Sequence, residues 1–193
     1  MISHAALASA LRLCAVSALL AIGAASAAPV RTEITHELDG TTFKSVLIHD
    51  DASGAKRPAL VLIPNWMGIN EANLKQAELV AGKDYVVLVA DLYGADVRPV
   101  DAQQAGAAAG KVKGDRALMQ KRVNAALELL LAQKKAPIDV KRLGALGFCF
   151  GGTAALELAR SGAQVAGVVS FHGGLSTPDP SQAKHIKSKV LVL

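Results

Sequence analysis

The segment Gly147-Phe148-Cys149-Phe150-Gly151-Gly152 follows an apolar run, Leu143–Phe148, and opens a helical pattern over Gly151–Ser161. A thiol with glycine two residues away on each side matches the small-x-nucleophile-x-small pattern of a nucleophile elbow, with Cys in place of Ser. The spacing has a mechanical reason. At a sharp strand-to-helix turn the residues two before and two after the nucleophile come close together, and glycine removes the Cβ that would clash there. The helix start points its free N–H groups at the site, which favours negative charge, and the Phe150 N–H is placed to hold an oxyanion. The chemistry permitted is attack of a thiol on a carbonyl. Two other readings of these residues stand beside it: a glycine-rich turn around a buried, inert cysteine, and a dinucleotide-binding turn. The latter expects Gly-x-Gly-x-x-Gly at the first strand-to-helix turn. That turn here is Pro64-Asn65-Trp66-Met67-Gly68, which lacks it.

The elements that would position Cys149 alternate. Thr32–Leu38 and Thr42–His49 alternate polar with apolar residues and are joined through Asp39-Gly40, a hairpin signal. Ala59–Ile63 is a continuous apolar run closed by Pro64, as for a strand buried on both faces. Asn70 can cap a helix to about Ala81, stopped by Gly82. Tyr85–Ala90 reads as a strand, followed by Asp91-Leu92-Tyr93-Gly94. Asp101–Gly110 reads as a glycine-weakened helix. Asp115 to about Lys135 carries an apolar stripe through Met119, Val123, Ala126, Leu127, Leu130 and Leu131, and Pro137 ends it. Val165–Phe171 and Lys189–Leu193 read as further buried strands. This order predicts a mostly parallel sheet with helices on both faces, preceded by a β-hairpin.

These residues resemble the dienelactone hydrolase family. The resemblance rests on Gly147-Phe148-Cys149-Phe150-Gly151-Gly152, Asp91-Leu92-Tyr93-Gly94 and Pro64-Asn65-Trp66-Met67-Gly68, and runs from about Thr32 to Leu193. It implies an α/β-hydrolase fold and hydrolysis of small lactones and esters by a Cys, Asp, His triad without cofactor or metal. It also implies that Trp66 supplies the second oxyanion N–H beside that of Phe150. Two departures follow. Where well-known members carry a Glu that controls the thiol, this chain has Asn65, which is a turn residue or a polar group of the site. No substrate-binding Arg is matched, with Arg98 and Arg116 as candidates. In this fold the acid and the His follow the nucleophile, the acid after the strand that here is Lys189–Leu193. The expectation is therefore a chain truncated at the C-terminus, lacking the later Asp and His and inactive by itself.

Among the histidines, His36 and His49 fall in the hairpin and His185 in a basic segment. His172 ends the strand after the elbow, at the carboxyl edge of the sheet where sites form. Together with Tyr93 and Asn65 it is a candidate pocket residue. The alternative to a hydrolase is a non-catalytic binding or thiol-sensing protein on the same fold. A further reading is a truncated product that folds poorly because its missing elements leave a sheet edge and apolar surface open.

Composition bounds the rest. The chain has 193 residues, enough for one domain with a sizeable core. Residues 1–27 hold Arg12 and no acid, with an apolar run Leu13–Ile22 and then Ala-Ser-Ala-Ala. That reads as a signal peptide cleaved after Ala27 or Ala28. Residues 28–193 would then form the hydrolase-like domain in the periplasm or outside the cell, with no stable membrane association. Cys14 leaves with the signal, so Cys149 is the one cysteine remaining and no internal disulfide is expected. Net charge falls only from +5 to +4, without a basic stripe, so nucleic acid is not an expected partner. The expected partner is a small ester or lactone.

Overall fold

The computed structural model describes residues 29–51 and 54–193. The signal-peptide reading of residues 1–27 lies outside them. The elements in order are strands β1 (Val30–Leu38), β2 (Thr41–His49) and β3 (Arg57–Ile63), helix α1 (Glu71–Ala81) and strand β4 (Val86–Val89). Helices α2 (Ala102–Gly114) and α3 (Arg116–Leu131) follow, then β5 (Ile138–Phe148), α4 (Phe150–Arg160), β6 (Gly167–Phe171), a 3-10 turn (Pro180–His185) and β7 (Lys189–Val192). The seven strands form one sheet in the order β1-β2-β4-β3-β5-β6-β7. β1 and β2 pair antiparallel, as do β2 and β4, and every later pair is parallel. The α/β-hydrolase reading therefore holds: a hairpin leads into a doubly covered, mostly parallel sheet.

Local chemistry accounts for the boundaries. Asp39 (φ 51°) and Gly40 (φ 70°) both lie in the left-handed region that a two-residue hairpin turn demands. The Asn70 side chain accepts from Asn73 N–H at the start of α1, and Asp101 and Asp115 cap α2 and α3 in the same way. Gly82, at φ 44°, ends α1. One core packs α2, α3 and α4 on one face of the sheet through Val61, Ile63, Leu88, Met119, Val123, Leu130, Ala154 and Leu158. A smaller core packs α1 on the other face, against Ile48, Leu62, Val87 and Val89.

Four expectations change. α2 runs on to Gly114 instead of ending near Gly110. β5 begins at Ile138 rather than Leu143, because Ile138 pairs with Arg57 across an irregularity in the β3–β5 ladder. α3 stops at Leu131 instead of running to Lys135, since Ala132–Ala136 closes on itself in short turns. The apolar run Lys189–Leu193 reads as a buried strand, but all four residues of β7 are exposed. It is the sheet edge, bonded on one side only, to β6. No helix among the described residues is long and apolar enough to cross a membrane.

Candidate active site

Cys149 stands between β5 and α4 with φ 55° and ψ −114°. A non-glycine residue held in this region costs on the order of 1–3 kcal/mol and persists only where its surroundings enforce it. They do so here through the glycines. A Cβ on Gly147 would fall on the carbonyl of Gly151, and a Cβ on Gly151 would lie 2.5 Å from Pro64 O and closer still to Ile63 O. A third close approach was not legible in the sequence. A Cβ on Gly152 would lie 2.7 Å from Ser170 Oγ and 3.0 Å from Gly173 Cα. The turn is thus packed against the carboxyl ends of both β3 and β6. Cys149 N–H donates to Phe171 O at 2.9 Å, and Thr153 N–H donates back to Cys149 O at 3.2 Å. The Cys149 side chain makes no capping bond to α4, so the first amides of that helix, Phe150 among them, remain available to an anion. The thiol is half-buried.

The facing turn is built by side-chain amides. Asn65 Oδ1 accepts from Met67 N–H at 3.0 Å and from Asn73 Nδ2 at 3.1 Å, while Asn65 Nδ2 donates to Asn73 Oδ1 at 3.1 Å. Of the two readings of Asn65, the geometry favours the turn residue. Its amide is committed to the turn and to α1. Tyr93 is buried, its ring tilted against Phe150 with centroids 5.3 Å apart, and its hydroxyl donates to Trp66 O at 2.9 Å. Burial, then the neighbouring Cys149 and Asp91, push the Tyr93 hydroxyl upward, so it stays a protonated donor. That bond fixes the carbonyl of Trp66, whose side chain is 39% exposed. The space enclosed beneath the turn, between Pro64, Asn65, Tyr93 and Phe150, is only about 10 Å³, room for at most one water.

The loop after β4 hangs on Asp91. Its buried carboxylate accepts from the N–H groups of Lys44, Tyr93 and Gly94 and from Arg98 Nη2, all between 2.9 and 3.0 Å. Arg98 also donates to Gly94 O and Lys44 O. It braces the loop and is not free for a substrate. Arg116 is likewise engaged, donating to Ser176 O at 3.2 Å with Nη1 3.8 Å from Glu157.

His172 sits at the carboxyl end of β6, exposed, with φ 41° and its N–H bonded to Leu193 O at 2.7 Å. Its ring makes no hydrogen bond among the described residues, and no side chain there hydrogen-bonds the Cys149 sulfur. His36 stacks cross-strand on Phe43, His49 lies 3.3 Å from Asp51, and His185 is exposed. No group of three or more His, Cys, Asp or Glu among the described residues could hold a metal.

Glu157 was missed by sequence reasoning, although an acid inside an apolar helix with Arg160 three residues on was a usable signal. It is fully buried, accepts from Arg160 Nη1 at 2.7 Å and Gln120 Nε2 at 2.8 Å, and anchors two arginines. These in turn hold the carbonyls of Leu175 and Ser176, so Glu157 braces the loop that follows His172. Glu157→Ala would strand both guanidinium groups. Urea unfolding is expected to show a loss of about 3 kcal/mol, the scale of breaking a buried pair.

Comparison with known proteins gives the family. The family model of the dienelactone hydrolase family matches residues 43–193. Among curated proteins none matches. Among solved structures the chain is similar to m3DLH, at 40% identity and TM-score 0.78, covering 86% of this chain and 68% of that one. It is similar to the dienelactone hydrolase-like promiscuous phosphotriesterase P91 from metagenomic libraries, at 34% identity and TM-score 0.79 with the same coverage. A dienelactone hydrolase from Anabaena variabilis shares the fold at 21% identity and TM-score 0.63, covering 86% of this chain and 73% of that one.

Proposed function

The chain belongs to the dienelactone hydrolase family, and from that premise we propose that it is a hydrolase of small esters or lactones with Cys149 as nucleophile. The observation that carries the reading is the left-handed backbone of Cys149 between two glycines that admit no Cβ. In the proposed reaction the Cys149 sulfur attacks the substrate carbonyl carbon. The resulting oxyanion accepts from the amides of Phe150 and Trp66, and the C–O bond to the leaving alcohol breaks to give a thioester. Water then releases the acid and restores the thiol. The peptide that carries the Trp66 N–H is held through Asn65 O, which accepts from Gly68 N–H at 2.9 Å, so this donor is oriented before substrate arrives, which is where such donors gain most of their effect. The signal-like residues 1–27 support, within the same proposal, export to the periplasm or beyond.

Deacylation needs a base, and no described side chain hydrogen-bonds Cys149. We therefore expect a polypeptide of these 193 residues to release about one equivalent of nitrophenolate from p-nitrophenyl acetate and then stall. Stopped-flow absorbance with mass spectrometry of the acylated chain reads this directly. A phosphotriester belongs in the same panel, given what the 34% identical relative is described as hydrolysing. Alkylation of Cys149 with no acylation by any ester would favour the thiol-sensing alternative. Sustained turnover that His172→Ala removes would make His172 the base.

A further inference from the structure

We propose that a cleft on the far side of Tyr93 from the cysteine binds a small oxyanion, a carboxylate or a phosphate, with Arg122 as its anchor and Lys111 as its second cation. The cleft holds about 330 Å³ between the β1–β2 turn (Gly40, Thr41, Thr42), the loop Tyr93–Val97, Lys111 of α2 and Arg122 of α3. Arg122 is only 8% exposed. It packs over the Phe43 ring at 5.0 Å and donates through Nη1 to Leu92 O at 2.6 Å. That is one of five N–H donors. No carboxylate among the described residues lies within ion-pair distance of it.

The two acids whose charge reaches Arg122 are paired elsewhere. Asp91 is paired with Arg98 at 3.0 Å, and Asp39 with Lys121 at 2.5 Å. Burial lowers the proton affinity of Arg122, and Asp91 and Asp39 counter this only from a distance. Buried charges are ordinarily paired, because an unpaired one forfeits its hydration. A guanidinium that lines an open cleft with donors to spare is the arrangement that takes a bidentate carboxylate or phosphate. Lys111 is exposed at the rim, with no hydrogen-bond or ion-pair partner among the described residues. Asp96, the one acid lining the cleft, leaves it with a net charge of +1 from Lys111, Arg122 and Asp96. Tyr93 forms the common wall: it lines this cleft and also holds Trp66 O. The site is nonetheless separate from the reacting thiol, and the proposal does not depend on the nature of the reaction.

The test is calorimetric titration of the 193-residue chain with inorganic phosphate and, separately, with succinate, against chloride at matched ionic strength. Thermal unfolding of the same samples gives an independent readout. One of the two anions is expected to bind saturably and, at a hundredfold excess over its Kd, to raise the melting midpoint by roughly 5–10 °C. The tighter of the two identifies the source as carboxylate or phosphate. Arg122→Gln should weaken that binding about tenfold or more. Lys111→Ala alters only an exposed side chain of α2 and should weaken it severalfold, and Lys111→Glu should abolish it. These two variants carry the test if Arg122→Gln does not fold. Absence of saturable binding for both anions overturns the proposal, as does an affinity unchanged in the Lys111 variants.

Discussion

Cys149→Ala is expected to abolish acylation by p-nitrophenyl acetate while leaving the urea midpoint close to that of the parent chain. The thiol makes no hydrogen bond that holds the fold together. What keeps the turn in place is backbone: the Cys149 N–H on Phe171 O, the Thr153 N–H on Cys149 O, and the packing of Gly147, Gly151 and Gly152. Alanine has the same Cβ as cysteine and meets the same left-handed strain, so stability should change by less than about 1 kcal/mol. The rate should fall on the order of 10³-fold or more, toward the uncatalysed level, since the proposed bond-forming atom is gone. Cys149→Ser should keep only a remnant, because a hydroxyl is far less ionised than a thiol near neutral pH. Full nitrophenolate release by Cys149→Ala, measured in the same stopped-flow assay, would remove Cys149 from the nucleophile's role.

Much of the framework was legible because it rests on short-range chemistry. Asp39-Gly40, Asn70 and Gly82 act through their own backbone or through neighbours three or four residues away, and each sits where the sequence placed it. The elbow was legible in part for the same reason: Gly147 is required by a contact with Gly151, four residues on, whereas Gly151 is required by Ile63 and Pro64, far away in the chain. What could not be read depends on partners distant in the chain. The early start of β5 is set by Arg57, and the exposure of β7 by what lies beside it in the sheet, which an apolar run does not encode. Arg98 and Arg116 looked like substrate cations because sequence shows a charge and not its partner. In the structure one is spent on Asp91 and the other on Glu157 and Ser176. Arg122 shows the converse, a residue within an ordinary helical stripe whose charge has no carboxylate at hand.

Gly147 and Gly151 are the glycines whose added Cβ would come nearest to backbone, and Gly151 is the one whose obstacles lie on a separate strand, so its substitution by alanine should be severely damaging. The added Cβ would lie 2.5 Å from Pro64 O and nearer still to Ile63 O. Both obstacles are backbone, at the end of β3, where the chain turns into the peptides of Asn65 and Trp66. Neither can rotate away as a flexible side chain could. Relief requires α4 to lift off β3, which breaks contacts of Ala154 and Leu158 in the main core, or the turn after β3 to open. A loss on the order of 4 kcal/mol or more is expected, the range reached when a close-packed site is overfilled without room to relax. Gly110→Ala in α2 is the control. A Cβ there meets nothing within 4 Å, and in a helix interior it should stabilise by roughly 0.5–1 kcal/mol. Urea unfolding of the two variants, with acylation measured on whatever fraction of Gly151→Ala remains folded, separates packing from chemistry. If Gly151→Ala is as stable as the parent and acylates at the parental rate, the close approach of α4 to β3 does not constrain the turn, and the geometric basis for placing the reaction at Cys149 is lost.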